Sequence, residues 1–143
     1  MRYTIHETRR ALHDARASAR RLACFIGYSQ LLAIGEGLQG EEGEFFSSKL
    51  AQLAGLIDTM PRVYEQDGKG DAAIAHLHYF TAGCDWYITE RDITEEQHQA
   101  FGLADLGYGP ELGYISIAEL LENGAELDLH FEPRPLDQIK ERR

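Results

Sequence analysis

The sequence predicts an α+β fold: an N-terminal antiparallel helical hairpin, then a mostly antiparallel sheet of about five strands with one short helix. Two observations carry this. As far as Met60, apolar residues recur at spacings of three and four; after Pro61 they fall in short runs separated by Gly and Asp. Charge changes at the same place. Residues 1–60 hold seven basic and seven acidic side chains, whereas 61–143 hold seven basic and seventeen acidic, the whole of the net charge of −10. The expected organisation is a helical hairpin over 1–60 and an acidic α+β module over 61–143.

The first helix is expected from Thr4 to Ile34. Ile5, Thr8, Leu12, Ala15, Ala19, Leu22, Ile26 and Ser29 form one stripe, and Arg9, Arg16 and Arg20 lie on its flank as a basic interaction face. Cys24, beside Phe25 and Ile26, is expected as a small buried hydrophobe. Gly35, Gly37, Gly40 and Gly43 predict a loop. The second helix is expected from Glu42 to Met60, with Glu41, Glu42 and Glu44 at its start, where the helix dipole favours negative charge. Pro61 ends it.

Beyond Pro61, strands are expected at Ala73–Thr81, Trp86–Arg91, Gln99–Leu106 and Leu112–Ile117. Ser116 with Glu119 predicts a capping box for a helix over Ala118–Glu122, stopped at Asn123-Gly124. A last strand, Glu126–Phe131, alternates Leu127, Leu129 and Phe131 against Asp128 and His130. The expected core of this part is Phe80, Trp86, Ile88, Phe101, Leu103, Leu112 and Phe131.

Composition narrows the classes. A chain of 143 residues buries a core without staples, and two cysteines make no disulfide framework. The most apolar stretch, Leu22–Ile34, is interrupted by Gly27, Tyr28, Ser29 and Gln30 and falls short of the ~20 residues that span a bilayer. The expected location is cytoplasmic, with no membrane partner.

Several motifs match a chemistry in part. Gly35 to Gly40 has dinucleotide-loop spacing, but it follows a helix rather than a strand, and Glu36, Glu41 and Glu42 repel phosphates. Asp67, Lys69 and Asp71 suggest a calcium loop, yet the sixth and twelfth positions are Ala72 and His78. His76 and His78, two apart on a strand, would ligate a metal only with a third group such as His98, His130 or Asp85. Cys84 has no basic neighbour to lower its thiol pKa. Asp105 and Glu111 bracket a Gly-Tyr-Gly-Pro loop as an acid–base pair would. None of these reaches a signature, so no cofactor, metal or catalytic residue is assigned.

Beside these, Tyr64-Glu65-Gln66-Asp67, His78-Tyr79-Phe80, Trp86-Tyr87-Ile88-Thr89-Glu90, Phe101-Gly102-Leu103-Ala104-Asp105, Glu111-Leu112-Gly113-Tyr114-Ile115-Ser116, Glu119-Leu120 and Asp128-Leu129-His130-Phe131-Glu132-Pro133 follow one another in order. Over about residues 61–135 the chain resembles the family catalogued as domain of unknown function 2958. The resemblance implies a bacterial mobile-element origin and a compact α+β module, and it brings no catalytic residues.

The functional expectation is a non-enzymatic accessory protein of a mobile element that acts through a protein partner. Its sharper form is an anti-defence inhibitor. Between Glu65 and Glu132 fifteen acidic residues stand against Lys69 and Arg91, and such a surface imitates nucleic-acid charge toward the basic groove of a host nuclease or effector. Asp85, Glu90, Asp92, Asp105 and Glu111 are the expected acidic interaction face. The hairpin offers a homodimer interface. Two alternatives stand beside this: a small metal-dependent enzyme using His76, His78, Asp85, Asp105 or Glu111, and DNA binding through the Arg-rich helix. Direct nucleic-acid binding is disfavoured by the net acidity.

Overall fold

In the computed structural model, which describes residues 22–141, two helices lie on one face of an antiparallel sheet. Helix α1 spans Tyr28–Gln39 and α2 spans Gly43–Thr59. The expected glycine loop is a correction: α1 runs on through Gly35 and Gly37, and only Gly40–Glu42 connects the helices. Gly37 is needed where it stands, because a Cβ there would lie 2.5 Å from Cε2 of Phe46 on α2. The first helix was expected to continue back to Thr4. Residues 22–26 form turns instead, and Gly27 caps α1; the stretch before Leu22, with Arg9, Arg16 and Arg20, lies outside the described residues. Cys24 is exposed rather than buried.

Seven strands follow: β1 (Ile74–Ala75), β2 (Leu77–Thr81), β3 (Cys84–Glu90), β4 (Ala100–Asp105), β5 (Pro110–Ile115), β6 (Glu126–Leu127) and β7 (Arg134–Pro135). Five form an antiparallel sheet in the order β5-β4-β3-β2-β6, and β1 pairs with β7. The expected strand at 73–81 is thus split at His76, whose N–H still donates to the Ile88 carbonyl at 2.8 Å. Two more helices, α3 (Ile117–Glu122) and α4 (Leu136–Glu141), complete the fold. The Ser116 hydroxyl accepts the Glu119 N–H at 3.2 Å, so the expected cap forms.

The strand expected at 126–131 is only two residues long. Asp128 ends it by bending the chain: its Oδ1 accepts the His130 N–H at 2.9 Å. The outer edge of β6 is not left bare. The Gln30 side chain on α1 donates to the Leu127 carbonyl (2.7 Å) and accepts the Leu127 N–H (2.9 Å), as a neighbouring strand would.

The main core lies between the helices and one sheet face. Leu22, Ile26, Ile34, Leu50, Leu53 and Ile57 meet Leu77, Tyr79, Ile88, Ile115 and Leu127. On the other face Ala73, Ala75, Leu103, Leu136 and Ile139 form a smaller cluster beneath α4. Of the expected core, Ile88 and Leu103 are fully buried, Trp86, Phe101 and Phe131 are half-buried, and Phe80 and Leu112 are exposed. No helix among the described residues is long and apolar enough to cross a membrane.

Candidate functional site

The five carboxylates expected to share an exposed acidic face do not share one. Glu90, Asp92 and Asp105 are buried. Asp92 organises the β3–β4 connection: it accepts the Thr94 N–H (3.2 Å), the Thr94 hydroxyl (3.0 Å) and the Gln99 N–H (3.1 Å). Burial pushes its carboxyl up, but these hydrogen bonds and one from the His98 backbone outweigh that and hold it below the usual carboxylate range. Asp105 accepts the Gly107 N–H at 3.0 Å and so shapes the β4–β5 turn. Glu111 is exposed on β5. The acidic surface itself persists elsewhere, since ten of the fifteen carboxylates between Glu65 and Glu132 are exposed.

Asp85 meets His78 instead of solvent alone. His78 Nε2 lies 2.7 Å from Asp85 Oδ1, and Nδ1 lies 3.0 Å from Asp128 Oδ2. The imidazole stacks on Tyr87 at 4.6 Å. This ties β2 to β3 and to the chain after β6. His76 is half-buried and does not join it in a ligand set; burial lowers its pKa below the ordinary 6.5. Among the described residues no group of three or more His, Cys, Asp or Glu is arranged to hold a metal ion.

A pocket of about 380 Å³ opens on the same face, between the chain after Pro61 and strands β3 to β5. Its construction starts at Pro61–Val63, which runs alongside the end of β3: Arg91 N–H donates to the Pro61 carbonyl and Val63 N–H to the Arg91 carbonyl, both at 2.9 Å. Tyr64 then turns the chain with φ 82°, a left-handed conformation that costs a non-glycine residue about 1 kcal/mol or more. Gln66 fastens the returning loop. Its backbone N–H donates to Glu90 Oε2 (2.8 Å), its side-chain amide donates to the Ile74 (3.0 Å) and Thr89 (2.8 Å) carbonyls, and its Oε1 accepts the Ile74 N–H (2.9 Å).

Glu90 faces this pocket because of a β-bulge. The β3–β4 register shifts between Ile88, opposite Gly102, and Glu90, opposite Phe101. Strict alternation would aim Glu90 toward the helices, as Ile88 is aimed. With the extra residue Thr89, both Thr89 and Glu90 line the pocket beside Phe101. Glu90 is 4% exposed, while Tyr64 and Tyr114 are exposed at the rim and join through their hydroxyls at 2.9 Å. The hydrogen bond from Tyr64, then burial, then the charges of Asp67 and Glu90 raise the Tyr114 phenol above its ordinary 10.0. The charged lining residues are Asp67 and Glu90; no lysine, arginine or histidine among the described residues lines it.

Of these pocket residues, the sequence marked Glu90 as an exposed charge, Asp67 as part of an incomplete calcium loop, and Phe101 and Leu112 as core, without bringing them together. Gln66, Tyr64 and Tyr114 carried no periodic signal; the Asp67-Gly68 turn directly after Gln66 was the one local sign of a loop folding back.

Fold and site together define a small α+β protein with an acidic, aromatic-walled pocket on the sheet face away from its helical hairpin. Residues 49–136 match the family described as Protein of unknown function (DUF2958), and the chain belongs to that family. The match begins within α2, earlier than the expected start near Pro61, and contains every residue that lines the pocket. No curated protein and no solved structure matches the chain.

Proposed function

We propose that the chain is a non-enzymatic accessory protein that acts by contact with a basic protein partner, through the face of β4, β5 and their connecting turn. The observation that carries this is an apolar patch without a structural reason to be exposed. Leu106, Leu112, Tyr114 and Tyr64 are about half exposed or more, and Tyr108 at the turn is 96% exposed. Gly107 and Gly109 at positive φ (95° and 106°) hold Tyr108 out at the tip. Grouped exposed aromatics of this kind mark contact surfaces. Pro110 and Glu111 blunt β5 against added strands, so the contact is made by side chains.

The acidic surroundings supply the partner's sign. They attract a basic surface over a range set by the ionic strength. In the finer form of this proposal the chain serves a bacterial mobile element and its partner is a host defence nuclease or effector whose nucleic-acid groove is basic.

Capture from a bacterial lysate by the wild-type chain, by Tyr108→Ala and by Leu112→Ser tests the reading. A protein retained by the wild type, lost with both variants and released by moderate salt is the expected result. Retention unaffected by both variants, or by salt, overturns it.

A further inference from the structure

We propose that the pocket beside β3 is a recognition site for a guanidinium group. This rests on the protein-contact reading only for the source of that group. The central feature is Glu90. A carboxylate 4% exposed is costly to bury without an opposite charge or a full set of donors. Glu90 has neither among the described residues. One oxygen accepts the Gln66 N–H at 2.8 Å, and the other has no hydrogen-bond donor among them. Two carboxylate oxygens offer about four acceptor positions, so most of this capacity faces the pocket. An incoming cation supplies what the fold omits.

The walls narrow the kind of cation. Tyr64, Phe101 and Tyr114 contribute aromatic rings, and Phe101 and Tyr114 already stand edge to face with centroids 5.5 Å apart. Aromatic faces attract cations, and a planar, weakly hydrated guanidinium stacks on them better than a compact ammonium. The same fork of N–H groups pairs with a carboxylate through two hydrogen bonds. Asp67 adds a second negative charge at the mouth, which disfavours phosphates and carboxylates. At about 380 Å³ the pocket exceeds a guanidinium alone and has room for its aliphatic stem. Gln66 has no spare amide hydrogen for the ligand, since both its donor contacts and its acceptor contact are internal. It is a positioning residue that fixes the carboxylate.

The test is an NMR titration of the isotope-labelled full chain with four probes: N-acetyl-arginine methylamide, its neutral citrulline counterpart, free arginine and an arginine-containing peptide. Chemical-shift changes at Thr89, Glu90, Phe101 and Tyr114 with the arginine probes but not with citrulline are expected. Glu90→Gln should weaken binding roughly tenfold or more. Tyr64→Phe keeps the ring and should retain binding, whereas Tyr64→Leu should weaken it; this pair decides the matter if Glu90→Gln fails to fold. Tighter binding of the peptide than of free arginine assigns the group to a partner's side chain, and the reverse assigns it to a small metabolite. Absence of binding, equal binding of citrulline, or an undiminished affinity in folded Glu90→Gln overturns the proposal. Each of these leaves the protein-contact reading standing if Tyr108→Ala still loses the captured partner. Conversely, guanidinium binding without a captured partner refutes only that reading.

Discussion

The two faces of the sheet are built on different chemistry. On the helix side, Leu77, Tyr79, Ile88, Ala100, Ile115 and Leu127 join one continuous apolar cluster with both helices. Its prominent buried polar group is the Tyr79 hydroxyl, which donates to the Phe25 carbonyl at 2.6 Å. On the opposite side the apolar cluster is smaller, and around it sit a buried glutamate, a buried glutamine and an imidazole between two carboxylates. One face secures the fold by burying area. The other holds charged groups in fixed geometry, which is what a recognition surface requires.

Substitutions sharpen or break that comparison. The largest effect is expected at the bulge, where the faces meet. A Cβ on Gly102 would overlap the Tyr87 carbonyl, and backbone cannot yield cheaply, so Gly102→Ala should cost about 4 kcal/mol or more in chemical denaturation. Next come matched truncations on the two faces. Ile88→Ala should cost about 4 kcal/mol and Leu103→Ala about 3 kcal/mol, since the cavity beneath Leu103 lies in the smaller cluster. A reversed order in urea midpoints breaks the assignment of stability to the helix side. Tyr79→Phe removes one buried hydrogen bond and leaves the Phe25 carbonyl unsatisfied, for about 1–3 kcal/mol.

On the pocket side, the exposed Lys140–Asp71 pair (2.7 Å) links α4 to the loop before β1; Lys140→Met should change stability by less than about 1 kcal/mol. The smallest effect at neutral pH belongs to His76. Burial favours its neutral form, so the unfolded chain takes up the proton first as pH falls. The stability present above its ordinary 6.5 is lost as pH falls from there through the lower folded value. His76→Gln should leave the midpoint unchanged at pH 8 and flatten its decline below about pH 6.5 in a pH series of urea titrations.

Much of the scaffold was legible. The second helix, the three long antiparallel strands at 84–90, 100–105 and 110–115, and the Ser116 cap were placed within a few residues, because period, capping and turn residues agree there. The misplacements have physical causes. Gly35 and Gly37 read as loop formers, yet Gly37 serves close helix packing against Phe46. The alternation over 126–131 looked like a strand, but Asp128 satisfies its own turn. Charges looked exposed because carboxylates usually are. Glu90 turns inward toward a partner 24 positions away, which no local pattern shows. Asp92 instead bonds Thr94 and Gln99 close by, and its Asp-x-Thr turn was a local signal that the charge reading passed over.

The single extra residue at Thr89 also bears on how this family can vary. A related chain lacking one residue between the counterparts of 88 and 90 would restore plain alternation and keep the sheet. It would still set the counterpart of Glu90 opposite that of Phe101 on the pocket face, since the residue directly after Ile88 points away from the helices. A single-codon deletion here would remove the bulge and the Thr89 contribution to the lining while keeping the carboxylate beside Phe101. Sorting family members by length at this one position would separate bulged from plain strands, and both kinds would present a carboxylate at the pocket.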